Sequence, residues 1–472
     1  MSLLVETPMG RDAEREYILS VVLDDFLGLS WRRETKNQTN IRITVPGASG
    51  ELILPDVLFS YPDSRWLHPD SLPKSPLPIW DVTEIAVPTK LTSPYLPVIF
   101  GDQKPMVHCS SESIYLPIDV FGSAFFMLTR YEEIVNSVRD AHGRFPASAS
   151  IAYQEGFLER PIIDEYVEVL WATMKRLWPG IKRKDQIYCV CLSHDVDHPA
   201  GAVNKPWLQV LRNVGGDLIR RKDTGLALRR LKAKLTGDYS VDPFNTFAFI
   251  MDLSERHGLR SAFYFKTGFS NRQFDENYSL DSPWMEELLR NIHERGHEIG
   301  LHTSYEAYND PIRTRNEFEA LLRVADKLHI VQKQWGGRQH YLRWENPVTW
   351  QIWEEAGLDY DSTLGFADHV GFRCGTCHEF PVFNLRTRKA LRLRERPLIV
   401  MDTTLLAPEY MGLGTEQALE WIERLSNTCR RFRGTFTLLW HNTNLSQSWQ
   451  RKLYLEALEV ITWIGEGIEK IY

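Results

Sequence analysis

From residue 181 onward, short β-rich runs alternate with amphipathic helical patterns, and this alternation constrains the fold more than any other feature. The runs stand at Ile187 to Ser193, Ala262 to Lys266, His297 to His302, His340 to Trp344, Tyr360 to Leu364, Leu398 to Leu405 and Thr435 to His441. The clearest helix between them spans Pro283 to Arg295. Ser282 can cap it, Pro283 suits its first position, Met285, Leu288, Leu289 and Ile292 make one apolar stripe, and Gly296 ends it. Another runs from Pro347 to Ala356, closed by Gly357. Such alternation implies parallel strands joined by right-handed crossovers. About seven such units is the size of a β/α barrel, although an open doubly wound sheet gives the same pattern.

Before Trp178-Pro179-Gly180 the texture differs. Residues 40 to 120 are proline-rich with short β-type runs, Ile41 to Val45 and Glu51 to Leu54, and two helical patterns follow, Val120 to Val138 and Ile162 to Leu177. The expected fold class is α/β, with a smaller α+β domain over residues 1–180 and the alternating region over 181–472.

At 472 residues and 43% hydrophobic, the chain can bury a large core. A net charge of −7 argues against a nucleic-acid partner. The local basic stretch from Arg220 to Lys234 has leucines between its charges and reads as a solvated amphipathic helix. The opening residues lack a basic region before a long apolar run, and no stretch is apolar and long enough to span a membrane, so a cytoplasmic protein is expected. Six cysteines are too few for a disulfide framework. Cys189 and Cys191 share an apolar run and read as small core residues, whereas Cys374-Gly375-Thr376-Cys377, with His378 beside it, leaves a structural, a metal and a redox role open.

Polar residues gather at the C-terminal ends of the expected strands, where barrel enzymes keep their chemistry. The apolar run from Ile187 leads into His194-Asp195-Val196-Asp197-His198. Residues two apart on an extended chain point the same way, so the carboxylates of Asp195 and Asp197 can converge, and two carboxylates that close need a cation or a shared proton. In Gly296-His297-Glu298-Ile299-Gly300-Leu301-His302 the histidines are five apart, which puts them on opposite faces of a strand. His302, at the end, is placed as a ligand, His297 packs or hydrogen-bonds below, and Glu306 is within reach if the chain turns helical. His441 ends the last run, and Arg338, His340 and Asp402 follow the same rule. Two Asp and two His at one barrel mouth are what a mononuclear zinc site with an adjacent acid and base needs.

These residues resemble the NodB-type polysaccharide deacetylases, carbohydrate esterase family four. The resemblance implies a distorted (β/α)7-type barrel, with Asp195 where the catalytic base lies, Asp197 and His302 where metal ligands lie, and His441 where the general acid lies. The stretches Asp119-Val120-Phe121-Gly122 to Arg130-Tyr131-Glu132-Glu133, Arg338-Gln339-His340-Tyr341-Leu342 and Gly371-Phe372-Arg373-Cys374-Gly375 are similar to a bacterial subgroup whose N-terminal domain has no assigned role. Two departures stand out. Glu306 replaces the second histidine ligand, and Asp-Val-Asp replaces a contiguous pair, so either Glu306 or His340 supplies the third ligand. His340 is preferred, because neutral imidazole suits zinc.

The implied activity is metal-dependent removal of an N-acetyl or other acyl group from a sugar, a nucleotide- or lipid-linked precursor of a surface polysaccharide. Arg338 would steer Asp195 or stabilise the oxyanion, and Asp402 would orient His441. Two rivals remain at this point: a binding or scaffold protein that keeps the barrel without the reaction, and an amidohydrolase of a small non-sugar amide.

Overall fold

In a computed structural model of the chain, residues 2–85, 90–110 and 112–462 are described. Two large β-sheets carry the architecture. The first holds six strands in the spatial order Ser30–Thr35, Ser2–Thr7, Asn40–Thr44, Glu51–Pro55, Ser113–Tyr115 and His108–Cys109. Asn40–Thr44 and Glu51–Pro55 pair antiparallel. Ile41 and Ile43 turn inward while Arg42 faces out, the period of two expected of a half-buried strand. The helix Ile162–Leu177 has the bounds its periodicity predicts. The pattern from Val120 to Val138 does not make one helix: it breaks into Val120–Leu128 and Tyr131–Val135 at Arg130, whose backbone is left-handed at φ 52°.

The second sheet is a curled, mostly parallel one. Its spatial order is Phe380–Asn384, Lys389–Glu395, Tyr360–Asp361, Gly336–Arg338, Glu298–His302, Ser261–Phe265, Cys189–Val196, Thr435–Leu439 and Val400–Met401. Only the first pair is antiparallel. The strands at its two parallel flanks are neighbours in the chain: Lys389–Glu395 pairs with Tyr360–Asp361, and Val400–Met401, soon after, pairs with Thr435–Leu439. Helices fill the crossovers. Pro283–Glu294 is capped by Ser282 and buries Met285, Leu288, Leu289 and Ile292, each worth about 1.5–3 kcal/mol on transfer from water.

Three further expectations need correction. His340 to Trp344 is not a strand. The strand is Gly336–Arg338, whose glycines carry no β signal, and His340–Leu342 is a tight turn with Tyr341 and Leu342 at φ 61° and 55°. Of Leu398 to Leu405 only Val400–Met401 pairs, and Asp402–Leu406 is already helical. Cys189 is exposed and Cys191 half-buried, because they open the strand at its outer end rather than sit mid-sheet. Among the described residues, no helix is long and apolar enough to cross a membrane.

One apolar core runs through both sheets, from Leu3 to Ile461. A buried charge cluster also joins them. The Glu133 carboxylate lies 2.8 Å from Arg130 Nε and 2.6 Å from an Arg373 terminal nitrogen, with all three side chains almost fully buried. Removing one carboxylate strands two guanidinium groups in a region that water does not reach. Glu133→Ala is therefore expected to lower stability by about 3–5 kcal/mol, read as a shifted midpoint in urea unfolding.

Candidate active site

The residues singled out from sequence meet at the C-terminal end of the parallel strands. Asp195 lies in Cys189–Val196 and Asp197 follows it; His302 ends Glu298–His302; Arg338 ends Gly336–Arg338; Asp402 opens the helix after Val400–Met401; His441 follows Thr435–Leu439. Close approach of two strands sets part of the geometry. A Cβ on Gly337 would lie 1.8 Å from the Leu301 carbonyl oxygen, so only glycine lets Arg338 come alongside His302.

His302 sits between the two carboxylates, its Nε2 3.2 Å from Asp197 Oδ1 and its Nδ1 3.9 Å from Asp195 Oδ2. His340 Nε2 reaches the same Asp197 oxygen at 3.1 Å. The opposite nitrogens decide the tautomers. His302 Nδ1 donates to the Arg338 carbonyl at 2.9 Å, and His340 Nδ1 to Asp275 Oδ1 at 2.9 Å. In neutral rings both Nε2 atoms then carry lone pairs. Asp197 Oδ1 is buried and accepts no hydrogen bond, although it and the two Nε2 atoms lie within 4.8 Å of one another. Two imidazole nitrogens and one carboxylate oxygen, converging without a proton aligned between them, fit a divalent cation and have the composition of a hydrolytic zinc site.

The electrostatics agree. Burial alone would raise the Asp197 pKa, but His340, His302 and Lys266 hold it well below the usual carboxylate range. Burial would lower the His340 pKa, and Asp197 and Asp275 overcome it and push it up. A proton and a metal ion therefore compete for the same place. The missing hydrogen-bond alignment at Asp197 Oδ1 favours the ion.

Asp195 Oδ1 lies 2.8 Å from a terminal nitrogen of Arg338. Arg338 is fully buried and also donates to the Ser362 carbonyl at 2.7 Å and to the hydroxyls of Ser193 and Ser362 at 3.0 Å each. A guanidinium so fully engaged positions Asp195 and is not free for a transient anion. His441 Nδ1 is 2.7 Å from Asp402 Oδ1, and its backbone N–H donates to Asp402 Oδ2 at 2.9 Å. Its Nε2 is 3.7 Å from Asp197 Oδ2. Burial would lower its pKa, but the Asp402 carboxylate outweighs that and lifts it to about 9, the charged state a proton donor needs.

Glu306 is not part of the cluster; its half-exposed carboxylate pairs with Arg343 at 2.8 Å. His297 faces away, accepting from the Ser261 backbone N–H at 3.0 Å and meeting Glu255 at 3.2 Å. The buried thiols of Cys374 and Cys377 are both free. Asp164, Cys377 and His378 lie close enough to hold an ion, yet the Asp164 carboxylate already accepts from Thr376 Oγ1 at 2.6 Å and from the Cys377 backbone at 2.9 Å. Burial pushes the Cys377 thiol well up, away from thiolate. That group reads as structural.

Two residues in contact with the cluster escaped the sequence. Asp275 lies in an irregular loop with no periodic signal, yet it fixes His340. Lys266 follows the strand Ser261–Phe265, a strand-end position like those that flagged the acids and histidines. Its Nζ is buried without a hydrogen-bond partner, 3.8 Å from Asp197 Oδ1. An ammonium so near repels a cation, so Lys266→Met is expected to tighten the binding of an added divalent cation about tenfold or more, measured by calorimetry. Residues from the first half also reach the rim: Arg144 donates to the Tyr341 carbonyl at 3.0 Å and His142 Nδ1 meets the Tyr305 hydroxyl at 2.9 Å.

A large cavity of about 1770 Å³ opens at the other end of the strands, lined by Cys191, Ala262, Glu298 and Arg396 among others, and none of the converging residues borders it.

Comparison with known proteins gives limited likeness. Residues 3–179 match a family of unknown function, DUF7033. No curated protein matches the chain. Among solved structures, a protein from Mycobacterium smegmatis assigned as a polysaccharide deacetylase is 16% identical over 60% of this chain and 86% of its own, with a TM-score of 0.39. One of the same assignment from Pseudomonas aeruginosa PAO1 is 14% identical over 60% and 86%, with a TM-score of 0.36. Puue allantoinase is 12% identical over 60% and 85%, with a TM-score of 0.35. Likeness of this size assigns no role to any residue of the chain, and those roles rest on the site itself.

Proposed function

We propose that this chain is a zinc-dependent hydrolase that removes an N-acetyl or other acyl group from a sugar, on a precursor of a surface polysaccharide. In this reading residues 181–472 form a distorted (β/α)7-type barrel of the deacetylase kind, and residues 1–180 a smaller α+β domain packed against it. The observation that carries the reading is the convergence on buried Asp197 Oδ1 of two imidazole nitrogens at 3.2 and 3.1 Å, with Asp195 on one flank and His441 on the other.

Asp197, His302 and His340 would hold the ion. A divalent ion there supplies Lewis-acid polarisation of the acyl carbonyl and a more acidic water. Asp195, fixed by Arg338, accepts the proton of the attacking water. His441, kept protonated by Asp402, donates to the departing amine or alkoxide as the tetrahedral intermediate collapses. Arg338 and Asp402 act through the groups they hold, and Asp275 does the same for His340.

The test is acetate release from a panel of N-acetylated and O-acetylated sugars and nucleotide sugars, with zinc and with a chelator. Release that stops on chelation and returns with zinc supports the reading. Protein that binds zinc stoichiometrically but releases no acetate from any member of the panel overturns the sugar deacetylase.

A further inference from the structure

A helical hairpin follows the strand that carries Asp195 and leaves the sheet at the end that bears the candidate centre. Its helices are Trp207–Ile219 and Thr224–Thr236. They pack together through Val210, Val214, Ala227 and Ala233. Buried Asp217, on the first helix, pairs with Arg230 at 2.9 Å on the second and with Arg221 at 2.7 Å in the turn between them. The hairpin thus has its own small core and ion-paired frame.

Its outward side is not wholly polar: Leu226 is buried and Leu231 packs on the hairpin core, but Leu228 and Leu235 of the second helix and several apolar residues of the first face solvent. Leu208, Leu211, Leu218 and Ile219 share one stripe of the first helix, away from the buried Val210 and Val214. Leu228 and Leu235 stand two turns apart on the second. Leu208 is 82% exposed and Ile219 78%. Of the 18 large apolar side chains exposed among the described residues, seven fall within this hairpin. Ordinary surfaces scatter such residues singly, so the concentration marks an interaction face. The same stretch carries eight Lys or Arg and two Asp in a chain whose net charge is −7; Arg230 is buried against Asp217, whereas Arg212, Arg220, Arg221, Lys222 and Lys232 are exposed. Lys232 lies between Leu228 and Leu235 at helical spacing, so apolar and basic groups are interleaved.

We infer that this hairpin docks on the surface of a bilayer containing anionic lipid, its leucines and isoleucine entering the acyl boundary and its basic residues meeting the phosphates. Charge selects this occupant over a second copy, which would set two positive faces against each other. Neither helix spans the membrane, and the contact is peripheral. The inference does not depend on the hydrolytic reading.

The test is flotation of the full-length protein with vesicles of phosphatidylcholine alone and of phosphatidylcholine containing about 30% phosphatidylglycerol. The protein is expected to float with the anionic vesicles and not with the neutral ones, and about 0.5 M salt should release most of it. The double variant Leu208→Asp/Ile219→Asp should lose at least about tenfold of the binding with unchanged circular dichroism, the side chains being solvent-facing. Arg220→Glu/Lys222→Glu, which leaves the apolar stripe intact, should weaken binding in the same direction. Three results would overturn the inference: no flotation of the unaltered protein, flotation untouched by both double variants, or self-association through this face without vesicle binding.

Discussion

Asp195→Asn is expected to reduce acetate release by about 10²–10⁴-fold, the range general acid or base catalysis contributes, while zinc content stays near one equivalent. The amide keeps the shape of the carboxylate but accepts a proton far less readily. Asp195 is not one of the three groups converging on a common point, so the metal site should survive its loss. The substitution also leaves Arg338 buried without its 2.8 Å carboxylate partner, so the melting temperature must be measured beside the rate. Arg338 keeps its bonds to Ser193 and Ser362, which limits the damage. A folded variant that retains zinc and undiminished turnover would remove Asp195 as the base.

His302→Ala and His340→Ala should each weaken zinc binding by more than about 100-fold, because loss of an outer partner of a ligand alone costs 10–100-fold. Glu306→Gln, by contrast, should leave zinc affinity unchanged within experimental error. The comparison separates two candidates for the third ligand that the sequence left open. Glu306 is tied to Arg343 at 2.8 Å, whereas His340 is aimed by Asp275 at 2.9 Å. Competition titration against a chromophoric chelator reads all three variants on one scale. Loss of affinity in Glu306→Gln with none in His340→Ala would reverse the assignment.

Strand-end chemistry was legible because it follows from local rules. The run from Ile187 leads into Asp195 and Asp197, and the odd spacing of His297 and His302 separates a packed imidazole from a converging one. In the structure His297 meets Ser261 and Glu255, whereas His302 meets Asp197. What stayed hidden depends on tertiary contact. Gly336–Arg338 is a strand with two glycines, held by its neighbours rather than by propensity. Arg130 breaks a helix that periodicity joins, because its side chain is drawn into a buried pair with Glu133. Asp275 fixes His340 from a loop with no repeating pattern, and no spacing rule connects residues 65 apart.

The Arg130–Glu133–Arg373 cluster has a consequence for how the molecule comes apart. With Glu133 shared between Arg130 of its own segment and Arg373 from far along the chain, and one hydrophobic interior spanning both, neither part can open without exposing buried ions. Melting should be a single cooperative event, and separating the two parts of the chain would leave the Arg373 guanidinium without its carboxylate.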